Sequence, residues 1–128
     1  MPSGDRQKPR VLVVDDYADA ADLLAEALSF AGYEVSTVND GVSAVELAAR
    51  EPHGAAFIDI GMPDMDGYEV ARRLRAQPSG PDMYLVALTG HSGDAEKRRS
   101  AQAGFDLHLV KPVDVMGVAT LLEKRFGT

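Results

Sequence analysis

The 128-residue sequence contains no cysteine and no tryptophan, and it has few aromatic and few basic residues. Without cysteine, neither disulfide bonds nor thiolate metal sites are possible. The 13 Lys and Arg residues are outnumbered by 20 Asp and Glu, so the formal net charge is −7. That balance argues against general nucleic-acid binding, which needs a basic surface to neutralise phosphates. It also argues against attraction to anionic membranes.

Long apolar runs are missing as well. The runs "VLVV" and "YLVAL" are far shorter than the roughly 18 residues that a membrane span requires, and the polar N-terminus "MPSGDRQKPR" lacks the apolar core of a secretory signal. We therefore expect a soluble cytoplasmic protein. The chain length suits one domain, which we place at residues 10–126 after a flexible tail at residues 1–9.

Short apolar runs alternate along the chain with stretches of helical periodicity. The apolar runs predict strands at residues 10–15, 34–38, 55–59, 83–88 and 107–110. The periodic stretches predict helices at residues 18–31, 42–51, 67–77, 94–103 and 114–126. Leu23 and Leu28 belong to the apolar stripe of the first helix, and Val42 and Ala48 to that of the second. Five βα units predict an α/β fold, a doubly wound parallel sheet with strand order 2-1-3-4-5.

The carboxyl ends of parallel strands meet at one edge of the sheet, where ligands bind in this architecture. The polar residues expected at that edge are Asp15 and Asp16, Asp59, Thr89 with Gly90, and Lys111 with Pro112. Clustered carboxylates repel one another unless they are protonated or bound to a cation. An oxygen-only cluster suits Mg²⁺, a carboxylate can accept a phosphoryl group, and Lys111 supplies a compact positive charge for that group.

Each of these residues also has a plainer interpretation. Asp16 precedes a predicted helix and could serve as its N-cap. Lys111 could be an ordinary surface lysine exposed to solvent, and Thr89 could be an ordinary turn residue. Their convergence on one edge favours the functional interpretation.

At these residues the sequence resembles the receiver domain of two-component response regulators. The matching segments are "VLVVDD" (11–16), "FIDIGMPDMDGYE" (57–69), "LVALTG" (85–90) and "AGFDLHLVKPV" (103–113). The resemblance covers about residues 10–126 and implies a (βα)5, flavodoxin-like sandwich. It also implies a domain that takes a phosphoryl group from a phosphohistidine and switches conformation, and that catalyses only its own phosphorylation and dephosphorylation.

The resemblance assigns a role to each residue of the predicted edge. Asp59 would be the phosphoacceptor. Mg²⁺ would be held by Asp16 directly, by Asp15 largely through water, and by the carboxylate of Asp59 and the backbone carbonyl of Gly61. Thr89 and Lys111 would contact the phosphoryl group, and the peptide bond before Pro112 is a candidate for the cis form.

One position departs from the family pattern. The family often carries Tyr or Phe three residues before the lysine as a rotameric switch, and this sequence has His108 there. His108 is interpreted either as a half-buried strand histidine or as a switch, with Thr89, that responds to the charge of the imidazole.

The resemblance also implies partners. The phosphodonor would be a sensor histidine kinase or a histidine phosphotransfer domain. A downstream protein would bind through the fourth helix, fifth strand and fifth helix. Only two residues follow Phe126, so we expect no effector domain, and both a stand-alone receiver and a fragment of a hybrid kinase stay open.

Three other functions compete with this interpretation. A phosphorylation-independent pseudo-receiver would not need Thr89 and Lys111. "DMDG" (64–67) superficially matches the nucleophile motif of haloacid dehalogenase-type phosphatases, but Pro63 and its neighbours separate it from the strand. A flavodoxin-like electron carrier would need backbone donors for a phosphate where this chain has the acidic "DDYADA" (15–20).

Overall fold

The computed structural model describes residues 8–90 and 93–127. It contains five strands, β1 Val11–Val14, β2 Val35–Val38, β3 Ala55–Asp59, β4 Tyr84–Thr89 and β5 Leu107–Val110. Five helices follow them, α1 Ala18–Phe30, α2 Gly41–Arg50, α3 Gly67–Arg75, α4 Asp94–Ala103 and α5 Val115–Phe126. A short 3₁₀ turn, Gly80–Asp82, lies in the segment before β4.

All strand pairs are parallel, and the strand order is β2-β1-β3-β4-β5. The predicted α/β doubly wound fold is therefore confirmed. Side chains of the central strands alternate between two apolar layers. Leu12, Ile58 and Leu85 face α2, α3 and α4, whereas Val13 and Phe57 face α1 and α5.

Two predicted stripe positions are wrong. Leu23 is 61% exposed and Val42 is 54% exposed, whereas Leu24, Leu28 and Ala44 are buried. The apolar periodicity of both helices contained more positions than the sheet can cover. A helix packed on one face of a sheet buries a stripe of limited width, and the flanks of the stripe stay in contact with water.

Helices α2 and α3 begin at aspartate caps. Asp40 accepts a hydrogen bond from the Ser43 backbone N–H at 2.7 Å, and Asp66 accepts one from the Glu69 N–H at 3.0 Å. Such caps satisfy N–H groups that have no partner inside the helix. Asp16 does not have this role, because Tyr17 is the N-cap residue of α1.

Arg75 joins several segments at the edge of the sheet opposite the predicted site. Its guanidinium donates hydrogen bonds to the carbonyls of Gly80, Met83 and Gly104 and to the carboxylate of Asp106, at 2.7–2.9 Å. A planar group with several N–H donors suits this arrangement. The side chain thereby fastens the end of α3 to the starts of β4 and β5.

The predicted tail falls mainly outside the described residues, since residues 1–7 are not among them. Lys8, within that segment, contacts the domain. Its Nζ donates to the carbonyl of Ala31 at 2.9 Å and to the carboxylate of Glu123 at 3.1 Å, and it lies 4.8 Å from the ring centroid of Tyr33.

Candidate functional site

The predicted site residues lie at the carboxyl edge of the sheet. Asp59 is the last residue of β3 and Thr89 the last of β4. Asp15 directly follows β1, and Lys111 directly follows β5. In the register of the sheet Asp59 pairs with Leu88, which adjoins Thr89. Parallel strands therefore deliver these side chains to neighbouring positions, as the sequence predicted.

Three carboxylates form a cluster at this edge. One carboxylate oxygen each of Asp15, Asp16 and Asp59 lies within 4.8 Å of the others. Asp15 and Asp59 are 3% and 6% exposed, and Asp16 is exposed. A set of oxygen donors without sulfur or imidazole, open to solvent on one side, fits a hard divalent cation that retains water ligands, as Mg²⁺ does.

Burial raises the pKa of Asp15 above its ordinary value. The backbone N–H of Tyr17, which donates to Asp15 Oδ1 at 3.0 Å, lowers it. The neighbouring charge of Asp59 raises the pKa, and that of Lys111 lowers it. The amide of Asn39 donates to the backbone carbonyl of Asp15 at 2.9 Å, a contact that no sequence pattern predicted.

Lys111 faces the cluster. Its Nζ lies 3.1 Å from Asp59 Oδ1 and 3.9 Å from Asp15 Oδ2. The backbone N–H of Lys111 donates to the carbonyl of Thr89 at 2.7 Å, which fixes the end of β5 against β4. The Lys111–Pro112 peptide bond is cis. The ammonium group thus offsets part of the negative charge that the carboxylates bring together.

The segment between Asp59 and α3, residues 60–66, is here called the acceptor loop. The backbone N–H of Gly61 donates to Asp59 Oδ1 at 3.1 Å, and that of Gly67 donates to the carbonyl of Ile60 at 3.2 Å. A Cβ on Gly67 would lie only 2.6 Å from the carbonyl oxygen of Asp59. Glycine is therefore required where α3 begins, because its backbone packs directly on the end of β3.

Thr89 is 3% exposed. His108 is half-buried on β5, and its Nδ1 forms a hydrogen bond with Ser100 Oγ of α4 at 3.2 Å. A half-buried strand histidine was one of the two interpretations of this position, and its use as a switch stays a prediction. The roles of Thr89, Lys111, Gly61 and the three aspartates are likewise predictions, although the structure brings the acids and the lysine together.

Within residues 8–90 and 93–127, no helix is long and apolar enough to cross a bilayer.

A family model, response regulator receiver domain, matches residues 11–123. The chain is 41% identical over 103 residues to the response regulator MprA of Mycobacterium leprae (strain TN), a match that covers 80% of this chain. The matched segment makes up 44% of that relative, so the chain spans less than half the length of the curated relatives it matches.

Solved structures agree with this match. The chemotaxis protein CheY4 of Vibrio cholerae superposes with a TM-score of 0.86 at 29% identity, over 90% of this chain and 96% of that one. The receiver domain of the sensor histidine kinase PA1611 of Pseudomonas aeruginosa PAO1, solved with a magnesium ion coordinated in its active site cleft, gives 0.84 at 30% identity, over 94% and 98%. This chain belongs to the response regulator receiver domain family, the signalling domains of two-component systems.

Proposed function

We propose that this domain accepts a phosphoryl group on Asp59 and switches conformation to control a partner. The observation that carries the proposal is the contact of Lys111 with the Asp59 carboxylate at 3.1 Å, beside the buried acid Asp15. A carboxylate next to an ammonium group and to an oxygen-only cation site has what phosphoryl transfer needs, which is positioning and charge compensation.

The donor we propose is a phosphohistidine of a kinase or a phosphotransfer domain. A carboxylate oxygen of Asp59 attacks phosphorus, a P–O bond forms, and the P–N bond to the imidazole breaks. The bonding pair stays on the imidazole nitrogen, which takes up a proton from solvent. Each transfer modifies the domain itself, so it would act as a signalling component that catalyses only its own phosphorylation and dephosphorylation.

Asp16 and Asp59 would hold Mg²⁺ directly, Asp15 largely through water, and Gly61 through its carbonyl. When bound, the ion supplies positive charge that offsets the charge of the phosphoryl oxygens. The structure of the PA1611 receiver domain, which contains magnesium in its cleft, supports this assignment. The oxygen-only cluster supports it independently.

Lys111 and Thr89 would contact the phosphoryl group once it is attached. Lys111 would exchange its contact with Asp59 Oδ1 for one with a phosphoryl oxygen, and the Thr89 hydroxyl would donate to another. His108 would carry the change toward α4 through its hydrogen bond with Ser100. A downstream protein would recognise the surface formed by α4, β5 and α5, and we place the domain, residues 10–126, in the cytoplasm with its donor.

Intact mass after incubation with acetyl phosphate tests the proposal. Wild type should gain one phosphoryl group in the presence of Mg²⁺ and none in EDTA, and Asp59→Asn should gain none. Asp64→Asn is a matched control, because Asp64 is an exposed acid of the acceptor loop, and it should be labelled like wild type. Labelling of the Asp59→Asn variant would overturn the assignment of the acceptor.

A further inference from the structure

Helix α4 is held to the domain by little apolar surface. Only Ser100 and Ala103 of its ten residues are buried, and both are small. Adjacent residues of the helix make contacts in two directions. Ser100 bonds to His108 on β5, and Arg99 reaches across to α3. With so little apolar burial, these polar contacts carry much of the attachment of α4.

Arg99 lies on the aromatic ring of Tyr68. The guanidinium carbon is 4.3 Å from the ring centroid, well inside the range of a cation–π contact. The Tyr68 side chain is 4% exposed, so Arg99 is part of the cover that keeps the ring from water. Arg98, the preceding residue, is exposed, and its side chain makes no ion pair, hydrogen bond or ring contact with any residue in 8–90 and 93–127.

Tyr68 lies next to the contact between the start of α3 and the end of β3. It is the second residue of α3 and follows Gly67, whose backbone is packed against the carbonyl of Asp59 with no room for a Cβ. The Tyr68 ring is therefore attached one residue from the point where the start of α3 packs on the end of β3. The acceptor loop joins these two points, and its Gly61 N–H bonds to the Asp59 carboxylate.

We infer that Arg99 is a positioning residue for the phosphoryl site: by stacking on Tyr68 from α4, it fixes the start of α3 and with it the acceptor loop around Asp59. The contact ties the position of α4 to the geometry of the site. The inference rests on the proposed function of Asp59. Because coupling between two sites is reciprocal, binding of a ligand at the site should also slow amide exchange in α4.

The test compares Arg99→Ala with Arg98→Ala, which removes the same charge from the same helix. Amide hydrogen exchange followed by mass spectrometry reports on residues 60–70 and 94–103. Calorimetric titration with beryllofluoride, a phosphoryl mimic, in the presence of Mg²⁺ reports on the site. In Arg99→Ala we expect exchange in both segments to rise about three- to tenfold and beryllofluoride binding to weaken by about the same factor, in line with the loss of a partly desolvated cation–π contact. Arg98→Ala should behave like wild type in both assays.

Two further variants separate positioning from general stability. Tyr68→Phe keeps the ring and should retain wild-type binding, whereas Arg99→Lys should recover part of the affinity because an ammonium also binds a ring face. The melting temperature of Arg99→Ala should fall by no more than about 3–6 °C, the amount expected for one lost cation–π contact, and that of Arg99→Lys by less, so both variants stay folded at the temperature of the binding assay.

Equal effects of Arg99→Ala and Arg98→Ala would overturn the inference, because charge alone would then explain them. Unchanged exchange at residues 60–70 in Arg99→Ala would overturn it as well. If wild type itself fails to bind beryllofluoride, the proposed function of Asp59 fails. The exchange data alone then decide whether Arg99 positions the acceptor loop.

Discussion

Replacing Asp15 by asparagine should stabilise the metal-free protein. The Asp15 side chain is buried beside Asp59, and burial raises its pKa from the ordinary 3.8. Asparagine removes the charge and keeps an oxygen that accepts the Tyr17 N–H, so the start of α1 retains its hydrogen bond. The substitution therefore isolates the cost of the buried charge from the loss of a local contact.

The magnitude follows from three opposing effects. One carboxylate oxygen of Asp15 and one of Asp59 lie within 4.8 Å of each other, so at an effective dielectric constant of about 20 their repulsion amounts to at least about 3.5 kcal/mol. Attraction between Asp15 and Lys111 at 3.9 Å is about 4 kcal/mol on the same scale, so the two nearly cancel. The remaining effect is the desolvation of the buried Asp15 carboxylate. Removing that charge should raise the free energy of unfolding by about 1 kcal/mol. That gain corresponds to a rise of about 3–5 °C in Tm for a domain of this size.

The sign of the pH dependence gives a second check. Because the pKa of Asp15 is raised on folding, the folded state binds more protons than the unfolded state above pH 3.8, and stability falls as the carboxyl ionises. The advantage of Asp15→Asn should be complete at neutral pH. It should shrink as the pH is lowered and disappear below pH 3.8, where the carboxyl is protonated in both states.

Thermal unfolding followed by circular dichroism in EDTA is the assay. Asp15→Ala should gain less than Asp15→Asn, because it also loses the hydrogen bond from Tyr17. Added Mg²⁺ should raise the Tm of wild type more than that of either variant, since a ligand stabilises the state that binds it. A fall of several degrees for Asp15→Asn in EDTA would refute the reasoning, since the Lys111 attraction would then outweigh the burial of the charge.

Three other predictions have defined outcomes, and two of them include a control variant. Arg75→Lys should lower the free energy of unfolding in urea by about 2–3 kcal/mol, because an ammonium cannot reproduce the bonds of the guanidinium to several carbonyls. Arg73→Lys, in an exposed ion pair, should cost less than about 0.5 kcal/mol, and equal losses would contradict the role of Arg75. Gly67→Ala should cost about 1–3 kcal/mol through its clash with the backbone of β3. Gly90→Ala, whose Cβ would have no atom within 4 Å, should cost less than about 0.5 kcal/mol, so similar unfolding midpoints for the two alanine variants would count against the packing argument. Burial lowers the pKa of His53 from 6.5, so as the pH drops the unfolded state binds a proton before the folded state does. The free energy of unfolding should therefore fall below about pH 6.5. His53→Gln should flatten this part of the curve of stability against pH, and an unchanged curve would contradict the prediction.

The arrangement of the site was predictable because it follows from topology. Once five parallel strands are inferred, Asp15, Asp59 and Lys111 must arrive at one edge, whatever the detailed packing. The prediction needed only the position of each strand end, and those ends lie within one residue of the expected positions. The strand order was predictable for a similar reason, since short right-handed crossovers leave few alternatives.

Other features depend on which surfaces meet, and the sequence carries little information about them. The periodicity of α1 could not show that Leu23 lies on the flank of the helix in contact with water. Nor could it show that Tyr17, and not Asp16, is the cap residue. Arg75 bonds to Gly104 and Arg99 stacks on Tyr68, in each case about 30 positions away, and arginine occurs on helix surfaces far more often without such partners.

The sequence by itself thus determined the fold, the edge at which the site lies and the residues that converge there. Apolar periodicity and the residues at strand ends are local properties of the sequence. In a parallel sheet all strand ends of one kind lie at the same edge, so these local properties determine where the site residues lie. Only the tertiary structure decided which carboxylates are buried, how Lys111 contacts Asp59, and how α4 is attached through Tyr68. Those outcomes depend on distances between side chains of different elements, which are set by packing after the chain has folded.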